Sequence, residues 1–186
     1  MSFRFPLWQL GGSQLVQLLK SWSGERQLLP WYRKLKNTQI LFQHAGRFRE
    51  MRYQKQILQI GNEGQRRLRR GRVLVVGIGG LGCPALMQLV AAGVGKIGLL
   101  DGDKVELSNL ARQQLFTAED VGERKVDVAI RKLKKMNPDI SFESYSFYLD
   151  GSNSDILKNY DVVIDGTDSP EPRYEISHQC AKWGVA

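Results

Sequence analysis

The stretch "VLVVGIGGLGCP", Val73 to Pro84, holds Gly77, Gly79 and Gly82 in the order Gly-x-Gly-x-x-Gly, with a fourth glycine at Gly80. Residues without side chains let backbone N–H groups approach a phosphate, and a helix that starts there turns its positive end toward the same anion. Asp101 lies nineteen residues beyond Gly82, where a dinucleotide-type fold carries the acid that binds a ribose hydroxyl. These features fit NAD as well as ATP, and glycines serving only close strand–helix packing would produce them too. More of the chain separates the two ligands. Arg112 in "DGDKVELSNLARQ" and the downstream Lys125 supply cations able to meet a triphosphate, and Asp168 at the end of "VVIDGTD" offers a carboxylate for Mg2+ or a metal-bound water. Hydride transfer to or from NAD needs the ribose acid but leaves Arg112, Lys125 and Asp168 idle. Cations, acid and glycine turn together point to nucleoside triphosphate chemistry, with an NAD-dependent oxidoreductase as the lesser alternative.

Such residues work only if secondary structure brings them to one edge. The apolar, β-branched run before Gly77 reads as a strand, and "CPALMQLVAAG" reads as the helix after the turn, with Pro84 in its first turn and Gly93 at its end. "KIGLLDGD" follows as a second buried strand ending in acid. "VGERKVDVAIRKLKKMNP" is an amphipathic helix with Val126, Ile130 and Leu133 on one face, stopped by Asn137-Pro138. "ISFESYSFYL" is a strand whose alternation slips near Ser144, "YDVVIDGTDS" is another strand, and "PRYEISHQCAKWG" is a last helix. Helical patterning from Phe48 to Arg70, broken at "GNEG", precedes all of these. Strands alternating with helices predict an α/β, Rossmann-like, doubly wound and mostly parallel sheet, whose ligands sit beyond the carboxyl ends of its strands.

Composition narrows the remaining possibilities. The 186 residues are 42% hydrophobic, enough for one α/β domain. No apolar run has the length of a membrane span and no leader pattern opens the chain, which predicts a cytoplasmic, membrane-free protein. Two cysteines, Cys83 and Cys180, and two histidines, His44 and His178, are too few for a zinc site, and both cysteines read as small buried apolar residues. Of the net charge of +8, most belongs to residues 1–50, which hold eight of the 27 Lys and Arg residues against two of the 19 acids. "RRLRRGR", Arg66 to Arg72, lacks interleaved aromatics and reads as a solvated helix face, so nucleic acid is not the expected partner. Residues 1–46 form a basic segment of unassigned role, in which "SQLVQLLKSW" sets Leu15, Leu18, Leu19 and Trp22 at helical spacing as a packing arm.

The segments "RYQKQI", "GQRRL", "VLVVGIGGLGCP", "AAGVGKIGLLDGDKVELSNLARQ", "VGERKVD", "NPDI" and "DVVIDGTD" occur in that order across residues 50–186. Together they resemble the ThiF/MoeB/HesA family, the ubiquitin-activating-enzyme-like adenylyltransferases. The resemblance implies an ATP-binding domain over residues 47–186. It further implies that Mg·ATP adenylates the C-terminal glycine carboxylate of a ubiquitin-like sulfur carrier, in a thiamine- or molybdopterin-type route. Transferred to this chain, Gly77, Gly79, Gly80 and Gly82 would border the nucleotide and Asp101 would hold its ribose. Ser108, Asn109 and Arg112 would position phosphates, Lys125 would stabilise them, and Asp168 with Ser169 would form the Mg2+ end of the site. A homodimer is also implied, with Lys55 of "RYQKQI" reaching into the neighbouring copy. Three departures stand out. Lys55 replaces an arginine and loses its planar fork, Ser169 replaces the asparagine of the family's "TDN", and the chain ends at "KWGVA", where the family would enter its next strand. The family's crossover loop, later-acting cysteine and zinc-binding cysteine pairs lie beyond that point. A family member that only binds ATP or dimerises, without turnover, is the alternative implied by this ending.

Overall fold

Four parallel strands in the order β3-β2-β1-β4 form the sheet. The structure, a computed structural model, describes residues 51–186, so the expectations for residues 1–46 lie outside the described part. Along the chain come α1 (Gln54–Arg70), β1 (Arg72–Val76), α2 (Gly82–Ala92), β2 (Lys96–Leu100), α3 (Lys125–Met136), β3 (Ser141–Tyr145), β4 (Val162–Asp165) and α4 (Pro170–Trp183). Short 3-10 turns at Leu107–Asn109, Ala118–Asp120 and Ser154–Asn159 fill the connections. No helix of the described residues is long and apolar enough to cross a membrane.

The apolar run of β1 is continuous because both faces of the strand are covered. Val73 and Val75 point to a core shared with Cys83, Leu86 and Val90 of α2 and Val126, Ala129 and Leu133 of α3. Leu74 and Val76 point the other way, to Leu157, Tyr160, Ile176 and Cys180. Each such buried aliphatic side chain contributes about 1.5–3 kcal/mol, and the two layers fix the sheet between them. Both cysteines are buried and burial raises both thiols, in keeping with their reading as packing residues.

Element ends differ from the sequence reading where backbone bonding intervenes. α3 starts at Lys125 rather than in "VGER", because Val105 N donates to Glu123 O at 2.8 Å and Gly122 N to Val105 O at 2.9 Å, drawing those residues into a bridge with the loop after β2. β3 ends at Tyr145, close to the slip in alternation at Ser144. The strand in "YDVVIDGTDS" is only Val162–Asp165, and α4 begins already at Pro170, a tolerated first-turn position. The break at "GNEG" is Gly61, whose φ of 68° and ψ of 172° leave the helical region inside α1. Beside β4, Val163 N donates to Ala186 O at 2.7 Å and Ala186 N to Asp161 O at 3.3 Å, the bonding pattern of a parallel neighbour.

The amino ends of the strands are locked by side chains from "RYQKQI", "GQRRL" and "NPDI". A helix leaves its last carbonyls without intrahelical partners, and at α2 these are met from outside. Gln56 Nε2 and Gln65 Nε2 donate to Ala92 O at 2.9 and 3.1 Å, and Asn137 Nδ2 donates to Val90 O at 3.1 Å and to Tyr53 Oη at 2.7 Å. Gly93, with a φ of 82°, ends the helix, and the Tyr53 ring lies against it.

Candidate functional site

The carboxyl ends of β1, β2 and β4 meet at the glycine turn. Gly77 has a φ of 84°, donates its N–H to Leu100 O at the end of β2 (2.8 Å), and lies beside Gly166 after β4. A methyl group on Gly82 would fall 1.9 Å from the Gly77 carbonyl oxygen, and one on Gly77 would fall 2.8 Å from Gly166 O. Packing alone therefore requires glycine at both positions. Gly79 and Gly80 are different. A methyl there would meet only Gln113 Nε2 at 3.9 Å or Arg112 Cγ at 3.6 Å, ordinary van der Waals distances. No side chain caps the start of α2, which points its first turn at this open stretch.

Asp101, just past β2, ties the second strand to the turn. Its Oδ2 accepts from Ile78 N at 2.6 Å and its Oδ1 from Asp103 N at 2.8 Å. Burial pushes its carboxyl above the ordinary carboxylate range, against the pull of those two amides and of Lys125. Lys125, within the stretch read as a helix, is the first residue of α3, next to the loop after β2, and only 4% exposed. Its Nζ sits 2.7 Å from Asp103 Oδ2 and 3.9 Å from Asp101 Oδ2, and its backbone N–H donates to Asp103 O at 3.1 Å. Burial pushes Asp103 up, but the hydrogen bonds from Lys125 and Tyr148 outweigh it and leave the group below its ordinary value. A lysine at this burial is held by two carboxylates, and a ligand oxygen would have to come to it.

Glu106, Ser108 and Asn109 shape the segment that presents Arg112. Asn109 Oδ1 accepts from Glu106 N at 3.2 Å, and Asn109 Nδ2 and Ser108 Oγ form a chain to Glu106 Oε2 at 3.4 and 3.2 Å. Asn109 O then accepts from the N–H groups of Arg112 and Gln113, turning the backbone back toward the glycines. Arg112 lays its aliphatic stem beside Gly80 and donates from Nη1 to Ser108 O at 3.3 Å; among the described residues no carboxylate pairs with it. At the end of β4, Asp165 Oδ1 accepts from Thr167 N at 2.9 Å and Thr167 Oγ1 at 2.6 Å, and Arg173 Nη2 donates to Thr167 O at 2.7 Å. That staple leaves Asp168 exposed, with Ser169 Oγ at 3.5 Å from its Oδ1. The described residues hold no group of three His, Cys, Asp or Glu side chains able to bind a metal ion by themselves.

The structure thus brings together Gly77, Gly79, Gly80, Gly82, Asp101 and Lys125 around one turn, with Ser108, Asn109 and Arg112 beside it and Asp168 and Ser169 on the loop after β4. Lys55 stands apart. It is exposed in the first turn of α1, next to the residues that lock the far end of α2, about 15 Å of helix from the turn at 1.5 Å per residue. Three further residues went unread in the sequence. Asp103 carries the ion pair with Lys125, Tyr148 donates to Asp103, and Gln113 lies under Gly79 with its Oε1 buried and without a partner among the described residues. Only the repeated acid in "DGD" gave a signal for the first.

Comparison with known proteins fits this arrangement. Residues 53–186 match the ThiF family. A sulfur carrier protein adenylyltransferase of Thermus thermophilus is 49% identical over 129 residues, which are 68% of this chain and 48% of that one. A probable molybdopterin-synthase adenylyltransferase of Porphyra purpurea is 44% identical over 132 residues, 69% and 35% of the two chains. Among solved structures, the Escherichia coli tRNA N6-threonylcarbamoyladenosine dehydratase in complex with ATP superposes with a TM-score of 0.70 at 26% identity, covering 73% of this chain and 57% of that one. The same enzyme has also been crystallised with AMP. The chain spans about half or less of the length of these curated relatives.

Proposed function

The chain belongs to the ThiF family, and from that premise we propose that residues 47–186 bind Mg·ATP and adenylate the C-terminal carboxylate of a small ubiquitin-like sulfur carrier. The observation that carries the reading is the Asp101–Ile78 contact at 2.6 Å. It joins the ribose-type acid of β2 to the phosphate-type turn of β1, so one nucleotide can span both. A relative 49% identical over most of this domain carries the name of that activity.

In this reading the triphosphate lies along Gly79 and Gly80, where the backbone is open and the start of α2 is uncapped. Asp101 orients the ribose. Arg112 holds non-bridging phosphate oxygens by charge-assisted hydrogen bonds, and Ser108 and Asn109 keep its segment in place. A carrier carboxylate oxygen attacks the α-phosphorus, the bond from that phosphorus to the β-bridging oxygen breaks, and pyrophosphate leaves with the electron pair. Lys125 faces the charge that gathers in this step, its position fixed beforehand by Asp103. No protein nucleophile takes part, and Cys83 and Cys180 are buried away from solvent. Asp168 and Ser169 suit Mg2+, which commonly takes one or two carboxylates and completes its shell with phosphate oxygens and water. Bound there, the ion would neutralise the β- and γ-phosphates. Lys55, distant from its own chain's turn, is assigned to the site of a second copy in a homodimer.

ATP–pyrophosphate exchange on the purified chain, with carriers ending in Gly-Gly and with or without Mg2+, tests this directly. Exchange that needs both carrier and Mg2+ is expected. ATP binding without exchange would reduce the chain to a nucleotide-binding family member.

A further inference from the structure

α1 is continuous in hydrogen bonding but not in backbone direction. Gly61, with a φ of 68° and a ψ of 172°, takes a conformation that is essentially restricted to glycine, so residues 52–60 form an arm joined at a kink to residues 62–70. The second part is anchored by Leu68, which packs against the core of the sheet, whereas no arm residue belongs to either core layer. Polar bonds hold the arm instead, and the residues around Lys55 make them. Arg52 Nη1 donates to Met136 O at 3.0 Å, and Tyr53 Oη accepts from Asn137 Nδ2 at 2.7 Å. Gln56 Nε2 donates to Ala92 O at 2.9 Å and, across the kink, to Gln65 Oε1 at 2.8 Å. Gln65 is only 9% exposed and donates to the same Ala92 O at 3.1 Å.

Apolar burial is non-directional, but hydrogen bonds weaken steeply off their axis. A segment held by the second and not by the first is oriented more than it is stabilised. Lys55 is what the orientation serves: it is exposed, and among the described residues no carboxylate pairs with it. Leu58, one turn further along the same side of the helix, is 77% exposed. An unpaired cation beside an uncovered leucine fits contact with a second copy of the chain. We propose that Gln56 is a positioning residue: anchored on Gln65 and Ala92 O, it sets the direction in which Lys55 enters the phosphate site of that copy. The inference rests on the assignment of Lys55 to a second copy made above, and it gives the end of the sheet remote from the glycine turn a task in the reaction. An ammonium oriented beforehand meets the charge gathering on the phosphates without having to reorganise.

Mixed dimers test this, because they separate the chain that supplies Lys55 from the chain that holds the nucleotide. The readout is carrier- and Mg2+-dependent ATP–pyrophosphate exchange. Lys55→Ala and Asp168→Ala should each lose about 100-fold or more in exchange alone. Co-expressed at equal levels, they should regain up to about a quarter of the native rate, since about half of randomly formed dimers then carry one complete site. Gln56→Ala added to the Asp168→Ala chain, which supplies Lys55, should lower the restored kcat about tenfold and leave KM for ATP within about threefold of its value before the addition. Added to the Lys55→Ala chain, it should have no further effect, because the side chain it positions is already gone. Gln65 still meets Ala92 O in this variant, so melting curves should show a folded protein in every mixture. An equal loss from both placements would be a structural effect of the missing bonds and would overturn the proposal, as would no loss from either. If the folded native chain shows no exchange, the adenylation reading falls and the proposal with it. If Lys55→Ala alone exchanges like native, or co-expression restores nothing, the assignment of Lys55 to a second copy falls and takes the proposal along. Restored exchange that is indifferent to Gln56 strikes the positioning role alone.

Discussion

The two ends of the sheet are built on opposite principles. At the amino ends of the strands, Gln56, Gln65 and Asn137 spend their amides on the last carbonyls of α2, Tyr53 closes over Gly93, and Arg72 pairs with Asp161 at 2.6 Å. At the carboxyl ends, Gly80 has room beside it, α2 begins without a side-chain cap, Asp168 is exposed, and Gln113 keeps a buried oxygen without a partner among the described residues. Satisfied polar groups stabilise a fold, whereas groups left open cost stability and are retained where something else must bind. The segments that mark the family are thus of two kinds. "RYQKQI", "GQRRL" and "NPDI" close the molecule, and "GIGGLG", "DGDKVELSNLARQ" and "DGTD" leave it open.

The glycine turn contains both kinds within six residues, and it gives the largest expected effect. Gly82→Ala would place a methyl 1.9 Å from backbone, a clash no side-chain movement can relieve. It should cost more than about 4 kcal/mol and remove cooperative thermal unfolding altogether. Gly80→Ala meets nothing closer than 3.6 Å and should melt like the native chain, within about 0.5 kcal/mol, while ATP affinity falls about tenfold as the backbone is held off the phosphates. Equal behaviour of the two variants in melting and titration would erase the distinction between packing and ligand glycines.

Arg112→Ala and Asn137→Ala test the ends against each other. Removing Arg112 should weaken ATP binding by about 1.5–3 kcal/mol, the range for a charge-assisted bond, and leave the melting temperature alone. Removing the buried Asn137 amide strands Val90 O and should lower stability by about 1–3 kcal/mol, with ATP affinity unchanged in the folded fraction. A variant that moves both quantities would show that the ends are coupled.

What the sequence made legible follows the same division. The glycine turn and Asp101 could be read because backbone geometry fixes their spacing, and β1 because a strand covered on both faces must be apolar throughout. Both cysteines were legible as packing residues because nearly the whole domain separates them and neither belongs to a Cys-x-x-Cys pair. The burial of Lys125 was not legible, because it depends on Asp103, twenty-two positions earlier, being folded onto it. Asp103 and Tyr148 are forty-five positions apart, and nothing in either one's neighbourhood shows that they touch. The start of α3 was read too early because the bridge between Lys104 and Arg124 is a tertiary feature that no helical period records.

The smallest effects separate the ends by titration. Burial raises the Asp101 carboxyl at the site, and hydrogen bonds from Arg72 lower that of Asp161 at the other end. A lowered carboxylate contributes stability that is complete above its unfolded pKa, about 3.9, and is lost as pH falls through its depressed folded value. A raised one contributes stability that is present below the unfolded pKa and is lost as pH rises through the folded value. On acidification from neutrality, Asp101 therefore takes up its proton before the Arg72–Asp161 pair breaks. ATP affinity should fall several-fold over a range of pH in which the melting temperature holds. Asp101→Asn should flatten that part of the affinity profile, with protonation of ATP itself common to both proteins. Asp161→Asn should instead flatten the acid limb of the melting curve, by no more than about 1 kcal/mol for so exposed a pair. Calorimetric titrations from about pH 7 down to 4 read the first limb, and thermal melts carried on to about pH 2 read the second. If affinity and stability fell together, with the same midpoint in every variant, acid would be acting on the domain as a single unit, and the difference between its two ends would carry no functional weight.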